Sequence, residues 1–211
     1  MEILLQLGNH DNWRISARVG AEYNNAFNMI SLTLPGVAVT YYGEEIGMNN
    51  NMDITFEETV DPSGVNCGPD HYNDEPCSRD PERTPMQWTP GVNAGFNDGG
   101  STWLPVNKDY VDINVLNQEL DPDSTLNVYR AVAELRKQPT FIYGGAVTQL
   151  DGDVLSVARK QTEIYYDVYV TMANFGTDAQ TVDLFGDIHP FLETGVVMVS
   201  SLGSQGDNPV G

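Results

Sequence analysis

The stretch EILLQLGNHDNWRISARVGAEYNNAFNMISLTLPGVAVTYYG, residues 2–43, decides the fold class. It opens on a short apolar run that ends at Gly8, and the polar loop GNHDNWR follows. Apolar residues then recur at Val19, Tyr23, Ala26, Phe27, Ile30 and Leu34, a spacing of three and four that puts them on one side of a helix. Pro35 and Gly36 stop that helix, and Val37 to Tyr42 makes a second short run of β-branched and aromatic residues before Gly43. The order strand, helix, strand predicts parallel pairing through a right-handed crossover, the repeating unit of α/β folds.

Downstream, periodicity fades from Glu44 to about Asp123, where Asn, Asp, Gly and Pro surround isolated aromatics such as Trp88, Phe96 and Trp103. So long an irregular stretch inside a compact domain is usually functional. Ser124 is an expected N-cap for a helix with Leu126, Tyr129, Val132, Ala133 and Leu135 on one face and Arg136 and Lys137 in its last turn, ended by Pro139. From Thr140 the chain reads as short alternating runs, FIYGGAV, VLSVARK, YYDVYVTMANF and AQTVDLF, separated by DGD, GTDA and GDIHP turns. In the third run Tyr166, Val168, Val170 and Met172 share one face, and Asp167 and Thr171 share the other. The pattern is that of an antiparallel β domain, so an α/β part over 1–139 gives way to an all-β part over 140–211.

The composition narrows the function. A hydrophobic fraction of 40% suffices for a core. With 10 Lys plus Arg against 30 Asp plus Glu, the net charge of −20 repels a phosphate backbone, which makes nucleic acid an unexpected partner and leaves a neutral ligand such as a sugar compatible. No run of eighteen apolar residues occurs, and MEILLQLGNH lacks the basic, apolar and small-residue zones of a signal peptide. Cys67 and Cys77, the only cysteines, lie in the polar stretch DPSGVNCGPDHYNDEPC and are expected to form a local disulfide; the alternative is a pair of free thiols in a cytosolic protein. No second CxxC or paired histidine accompanies them, so no metal site is expected.

Asn9, His10 and Asp11 follow a predicted parallel strand, the place where α/β barrels carry catalytic side chains. Two readings stay open on position alone. Asp11 is either a functional carboxylate or the cap of the next helix, with His10 packed in the loop, and Arg14 is either a ligand or a surface charge.

Three ordered motifs favour the functional reading. LGNHDNWR resembles the fourth signature segment of the α-amylase superfamily of glycoside hydrolases, TLPGVAVTYYGEEIGM its eighth barrel strand and following loop, and SRDPERTPMQW with NAGF and WLPVN the loop of its α-glucosidases, the maltases of insects especially. YRAVAELRKQ resembles the last barrel helix, and the β region the C-terminal sheet domain of that family. The resemblance implies the C-terminal part of a (β/α)8 TIM barrel followed by an incomplete antiparallel β-sheet domain. It implies that Asp11 is the third catalytic carboxylate, that His10 and Arg83 bind the same glucose, and that Arg14 supports the sugar site from behind. The Glu44–Glu45 pair matches a family segment but reads rather as an acidic loop near the barrel mouth, and Thr89 stands where the family pattern has Asp.

The resemblance further implies an α-glucosidase that hydrolyses terminal α-1,4-linked glucose from maltose, sucrose or short oligosaccharides with retention, needing no cofactor. Nucleophile and general acid belong to earlier barrel strands, so the 211 residues alone are expected to be inactive. A secreted or extracellular setting is implied, with contact to a membrane only through an anchor outside this chain. The same architecture also serves non-catalytic relatives, as ancillary subunits of transporters or cell-surface receptors, and transglycosylases or isomerases that use the same residues.

Overall fold

The computed structural model describes residues 3–69, 77–161, 167–184 and 194–201. Its elements are β1 (Leu4–Gln6), α1 (Ile15–Val19), α2 (Asn24–Thr33), β2 (Val37–Val39), α3 (Pro62–Cys67), α4 (Val115–Leu120), α5 (Thr125–Leu135), α6 (Pro139–Tyr143), β3 (Gly145–Asp151), β4 (Val154–Lys160) and β5 (Tyr169–Asn174), joined by short 3-10 turns. They form two compact units, one of Met1–Leu5, Asn25–Ala38 and Val128–Gly211, the other of Gln6–Asn24 and Val39–Asn127.

In the first unit, β1 and β2 form a two-stranded sheet, with the Val37 amide donating to the Ile3 carbonyl at 2.8 Å. Gly36 makes this closure: at φ +122 its missing Cβ would stand 2.6 Å from the Ile3 oxygen, so any other residue would push the strands apart. A helix leaves its last carbonyls without partners, and two arginines serve those of α2. Arg136 donates to the Leu32, Leu34 and Gly36 oxygens, and Arg159 to the Thr33 oxygen at 2.9 Å. Arg159 is 2% exposed and also donates to the Phe141, Gly144 and Gly145 oxygens, with its guanidinium over the Phe141 ring.

The sheet β3-β4-β5 is antiparallel throughout, with Asp151 opposite Val154 across the Gly152–Asp153 turn and Val154 opposite Asn174. Gly152 takes φ +56, which a tight hairpin turn requires. β4 is central and buried on both faces at Ser156, Val157, Ala158 and Arg159. Several expectations need correction here. FIYGGAV is helical through Tyr143 before it becomes strand, because Pro139 starts a turn of helix at a position that needs no N–H. On β5 the expected alternation holds, with Thr171 and Ala173 buried and Met172 exposed. Residues 179–184 of AQTVDLF carry no strand, and Phe185, Tyr166 and the segment 202–211 lie outside the described residues.

The second unit is held by few regular elements. Ile46, Met48, Met86 and Leu126 form its buried cluster, with Tyr42, Phe96, Ile113 and Val115 packed around it. Buried amides take the place of ladder hydrogen bonds: Asn107 Nδ2 donates to the Asn49 oxygen, Gln118 Nε2 to the Ile46 oxygen, and Asn114 accepts from Asn117 N as the cap of α4. Ser124 accepts from the Asn127 amide at 3.2 Å, in keeping with an N-cap at that position. The single helix expected across Val19–Leu34 is broken instead at Gly20, whose φ of +107 lies outside helical space, giving α1, a 3-10 turn and α2.

Candidate active site

The polar loop after β1 folds on itself. Asn9 Oδ1 accepts from the Asp11 amide at 2.8 Å and from Asn12 Nδ2 at 3.0 Å, and Asn12 N donates to the Asn9 carbonyl. An asparagine that bonds its own backbone two residues on makes this turn without help from elsewhere. His10 and Asp11 therefore sit at its tip with 69% and 49% of their side chains exposed. Asp11 does not cap α1, whose N-cap position is Arg14.

The Asp11 carboxylate meets three donors. Oδ1 accepts from Arg83 Nη2 at 2.8 Å and from Arg79 Nη1 at 3.0 Å, and Oδ2 lies 3.3 Å from His10 Nε2. Arg83 is fixed by its own Nε, which donates to the His10 carbonyl at 2.6 Å, while its carbonyl accepts from the Trp103 indole N–H at 2.8 Å. Trp103 is half exposed and meets Phe96 edge to face, with ring centroids 4.8 Å apart. The NAGF motif lies beside these rings. Its Ala94 carbonyl accepts from the Trp88 and Thr89 amides, which holds Asn93 and Ala94 at positive φ. Thr89 spends its hydroxyl locally, accepting from the Gly91 amide.

Arg79 is the member of this cluster that sequence reasoning missed. Its Nε and Nη2 donate to the two oxygens of Asp61 at 2.9 and 2.8 Å, and its backbone N donates to Asp61 Oδ2 at 2.8 Å. The Asp61 side chain is fully enclosed, and the Arg79 guanidinium beside it holds its carboxyl well below the usual carboxylate range. Asp61 also caps α3 by accepting from Ser63 N, with Pro62 at the first helical position. The signal was present as the dipeptide Asp61–Pro62, a helix start, and as a second arginine four residues before Arg83.

Arg14 is not brought to this surface. It is 0% exposed, donates to the Tyr42 carbonyl at 2.6 Å and the Glu82 carbonyl at 3.0 Å, and stands 5.0 and 4.8 Å from the Tyr41 and Tyr42 ring centroids. Burial lowers its pKa, opposed by Tyr42, Tyr41, Glu44 and Glu45. Gly43 makes room for it at φ +87, since a Cβ there would meet Arg14 Nη1 at 2.8 Å. Of the Glu44–Glu45 pair, Glu44 is buried and accepts the Tyr41 amide at 2.9 Å, and burial pushes its carboxyl up. Glu82 is more extreme: fully buried, neither carboxyl oxygen has a hydrogen-bond partner among the described residues, and burial pushes its pKa up to about 7. Cys67 and Cys77 are joined as a disulfide.

The arrangement presents one half-exposed carboxylate flanked by two guanidinium groups and an imidazole, all able to bind hydroxyls through charge-assisted hydrogen bonds. Chemically it can bind a polar ligand and stabilise positive charge, and it offers nothing beyond that by itself. Among the described residues, the groups touching Asp11 supply no second carboxylate of the kind a glycosidase needs beside the scissile bond.

Residues 1–145 match the description "Alpha amylase, catalytic domain". The chain is 41% identical to Maltase A1 of Drosophila melanogaster over 203 residues, covering 94% of this chain and 34% of that protein. It is 40% identical to an α-glucosidase of Apis mellifera, covering 84% and 30% respectively, and 34% identical to the amino acid transporter heavy chain SLC3A1 of Mus musculus, covering 86% and 24%. Among solved structures it resembles the trehalulose synthase MutB of Pseudomonas mesoacidophila, with TM-score 0.67, 29% identity, and coverage of 81% of this chain and 34% of that one. The chain thus spans between about a quarter and a third of the length of these relatives. With a matching catalytic-domain description over more than half its length, the chain belongs to the α-amylase family, and its likeness is to the maltases and α-glucosidases within it.

Proposed function

We propose that these residues form the part of an α-glucosidase that carries its third active-site carboxylate, in an enzyme whose nucleophile and general acid lie outside the 211 residues. The intact enzyme removes terminal α-1,4-linked glucose from maltose, sucrose or short oligosaccharides with retention of configuration. The observation that carries this reading is the Asp11 carboxylate, raised on a turn after β1 and met by Arg83 from the SRDPERTPMQW loop. In an oxocarbenium-like transition state such a carboxylate stabilises developing positive charge, and His10 and Arg83 hold the hydroxyls of the same sugar. Arg14, enclosed by Tyr41 and Tyr42, acts by fixing the loop rather than by touching sugar. The disulfide fits an oxidising compartment, and an extracellular setting follows as part of the proposal. No helix among the described residues is long and apolar enough to cross a membrane, so a membrane enters the proposal only through an anchor elsewhere. An oligosaccharide is the proposed partner, and nucleic acid is not.

The similarity to a transporter heavy chain supports a second reading, in which the fold has lost catalysis. Assay of the full-length protein for release of glucose from maltose separates the two, with the product anomer followed by NMR. α-Glucose is expected first, and the isolated 211 residues are expected to release none. Sustained release by the isolated chain, free of contaminating enzyme, contradicts the proposal; an inert full-length protein favours the non-catalytic reading; and isomerised disaccharide as the main product reassigns the reaction.

A further inference from the structure

We infer that Arg79 is a positioning residue for the Asp11 carboxylate, set in place by buried Asp61 and by the Cys67–Cys77 cross-link, which closes the chain between the two. The inference rests on reading Asp11 as the transition-state carboxylate. Arg79 divides one guanidinium between two carboxylates. Nε and Nη2 form a two-pronged contact with Asp61, leaving Nη1 to donate to Asp11 Oδ1 at 3.0 Å. A planar fork allows this division, and the point charge of a lysine does not. Asp61 is itself immobilised: its side chain is enclosed, it takes the Arg79 and Ser63 amides, and its own amide donates to both oxygens of Asp80 at 3.1 and 3.0 Å. Asp80 also takes the Val60 amide at 2.8 Å, so residues 60–61 and 79–80 are locked together in both directions. Cys67 ends the helix that Asp61 begins, and Cys77 lies two residues before Arg79, so the disulfide closes the same junction covalently.

Arg83 differs in this respect. Its Nε donates to the His10 carbonyl, within the turn that carries Asp11, so its fork is referred to that turn itself. Arg79 refers Asp11 to a separate, rigid segment. With Oδ1 taken by both arginines, the rotation of the carboxylate is set and Oδ2 faces His10 and the open side. A reacting group misplaced by a fraction of an ångström loses rate without losing binding, because orientation acts in the transition state.

The test is a set of variants in the full-length enzyme with kcat and KM measured on maltose: Arg79→Lys, Asp61→Asn, Asp11→Asn, and Arg79→Lys combined with Asp11→Asn. Asn caps a helix about as well as Asp, so Asp61→Asn keeps α3 should Arg79→Lys fold poorly. Arg79→Lys and Asp61→Asn are each expected to lower kcat about tenfold or more with KM within about twofold, and Arg79→Lys is expected to cause little further loss once Asp11 is Asn. Wild-type kcat in both single variants overturns the inference, as does a loss equally large in the Asp11→Asn background, which would mark Arg79 as acting apart from Asp11. Near-normal kcat in Asp11→Asn alone overturns the reading of Asp11 first, and the inference with it.

Discussion

Glu82→Gln tests whether the second unit encloses a carboxyl that costs stability when it ionises. Glu82 is fully buried, both carboxyl oxygens lack hydrogen-bond partners among the described residues, and burial raises its pKa from 4.5 to about 7. A carboxyl raised in the folded state binds its proton more tightly there than in the unfolded chain, so between about pH 4.5 and 7 the folded state holds more protons and stability falls as pH rises. Integrated across that window, one such group costs about 3 kcal/mol by pH 8 and almost nothing at pH 4. Gln keeps the size and removes the ionisation. Urea unfolding of the full-length wild type and variant at half-unit steps from pH 4 to 8 is therefore expected to show near-equal stability at pH 4 and a variant about 2 to 3 kcal/mol more stable at pH 8. A stability difference that does not change with pH would refute the reasoning, since a constant offset reports packing and not titration. Glu44 and Asp109, both raised by burial, add the same sign of slope to wild type and variant alike and cancel in the difference.

Two further outcomes follow from named contacts. Unreduced folded protein is expected to show no alkylation of Cys67 or Cys77 by intact mass, and reduction is expected to lower stability by about 2 to 3 kcal/mol; labelling of both thiols before reduction would contradict the bond. Arg159→Met is expected to destabilise by about 3 to 4 kcal/mol in urea unfolding, because carbonyls of Thr33, Phe141, Gly144 and Gly145 lose one shared donor, and Arg159→Lys is expected to recover less than half of it; a loss under 1 kcal/mol would contradict that role.

What could be read from the sequence was local or periodic. The antiparallel sheet announced itself through alternation and the DGD turn, and Ser124 through its place before an amphipathic run. The tip of the first turn was legible because Asn9 builds it from its own side chain. Contacts that depend on distant segments were not. Nothing near Arg14 foretells that Tyr41, Tyr42 and the Glu82 carbonyl will enclose it, since those partners lie 27 or more positions away along the chain. Helical spacing ran through Gly20 because periodicity counts side chains, while the break there is a backbone angle. Which face of β5 is buried was not legible, because alternation marks two faces without choosing between them; Thr171 and Ala173 are buried and Met172 is exposed. Arg79 escaped because its meaning depends on Asp61, eighteen residues earlier and across the cysteine pair.

The most direct measurement of the central claim is kcat and KM of the full-length enzyme on maltose for Asp11→Asn beside Arg83→Ala. Asparagine preserves size and removes the charge near the developing oxocarbenium, so kcat is expected to fall by roughly two to four orders of magnitude, about 3 to 5 kcal/mol of transition-state stabilisation. Arg83→Ala removes the proposed sugar contact together with one of the two arginine bonds to Asp11 Oδ1, and is expected to raise KM while lowering kcat far less than Asp11→Asn does. Near-normal kcat in Asp11→Asn would contradict the account, and equal effects in the two variants would mean that the carboxylate and the arginine do not hold the separate roles assigned to them.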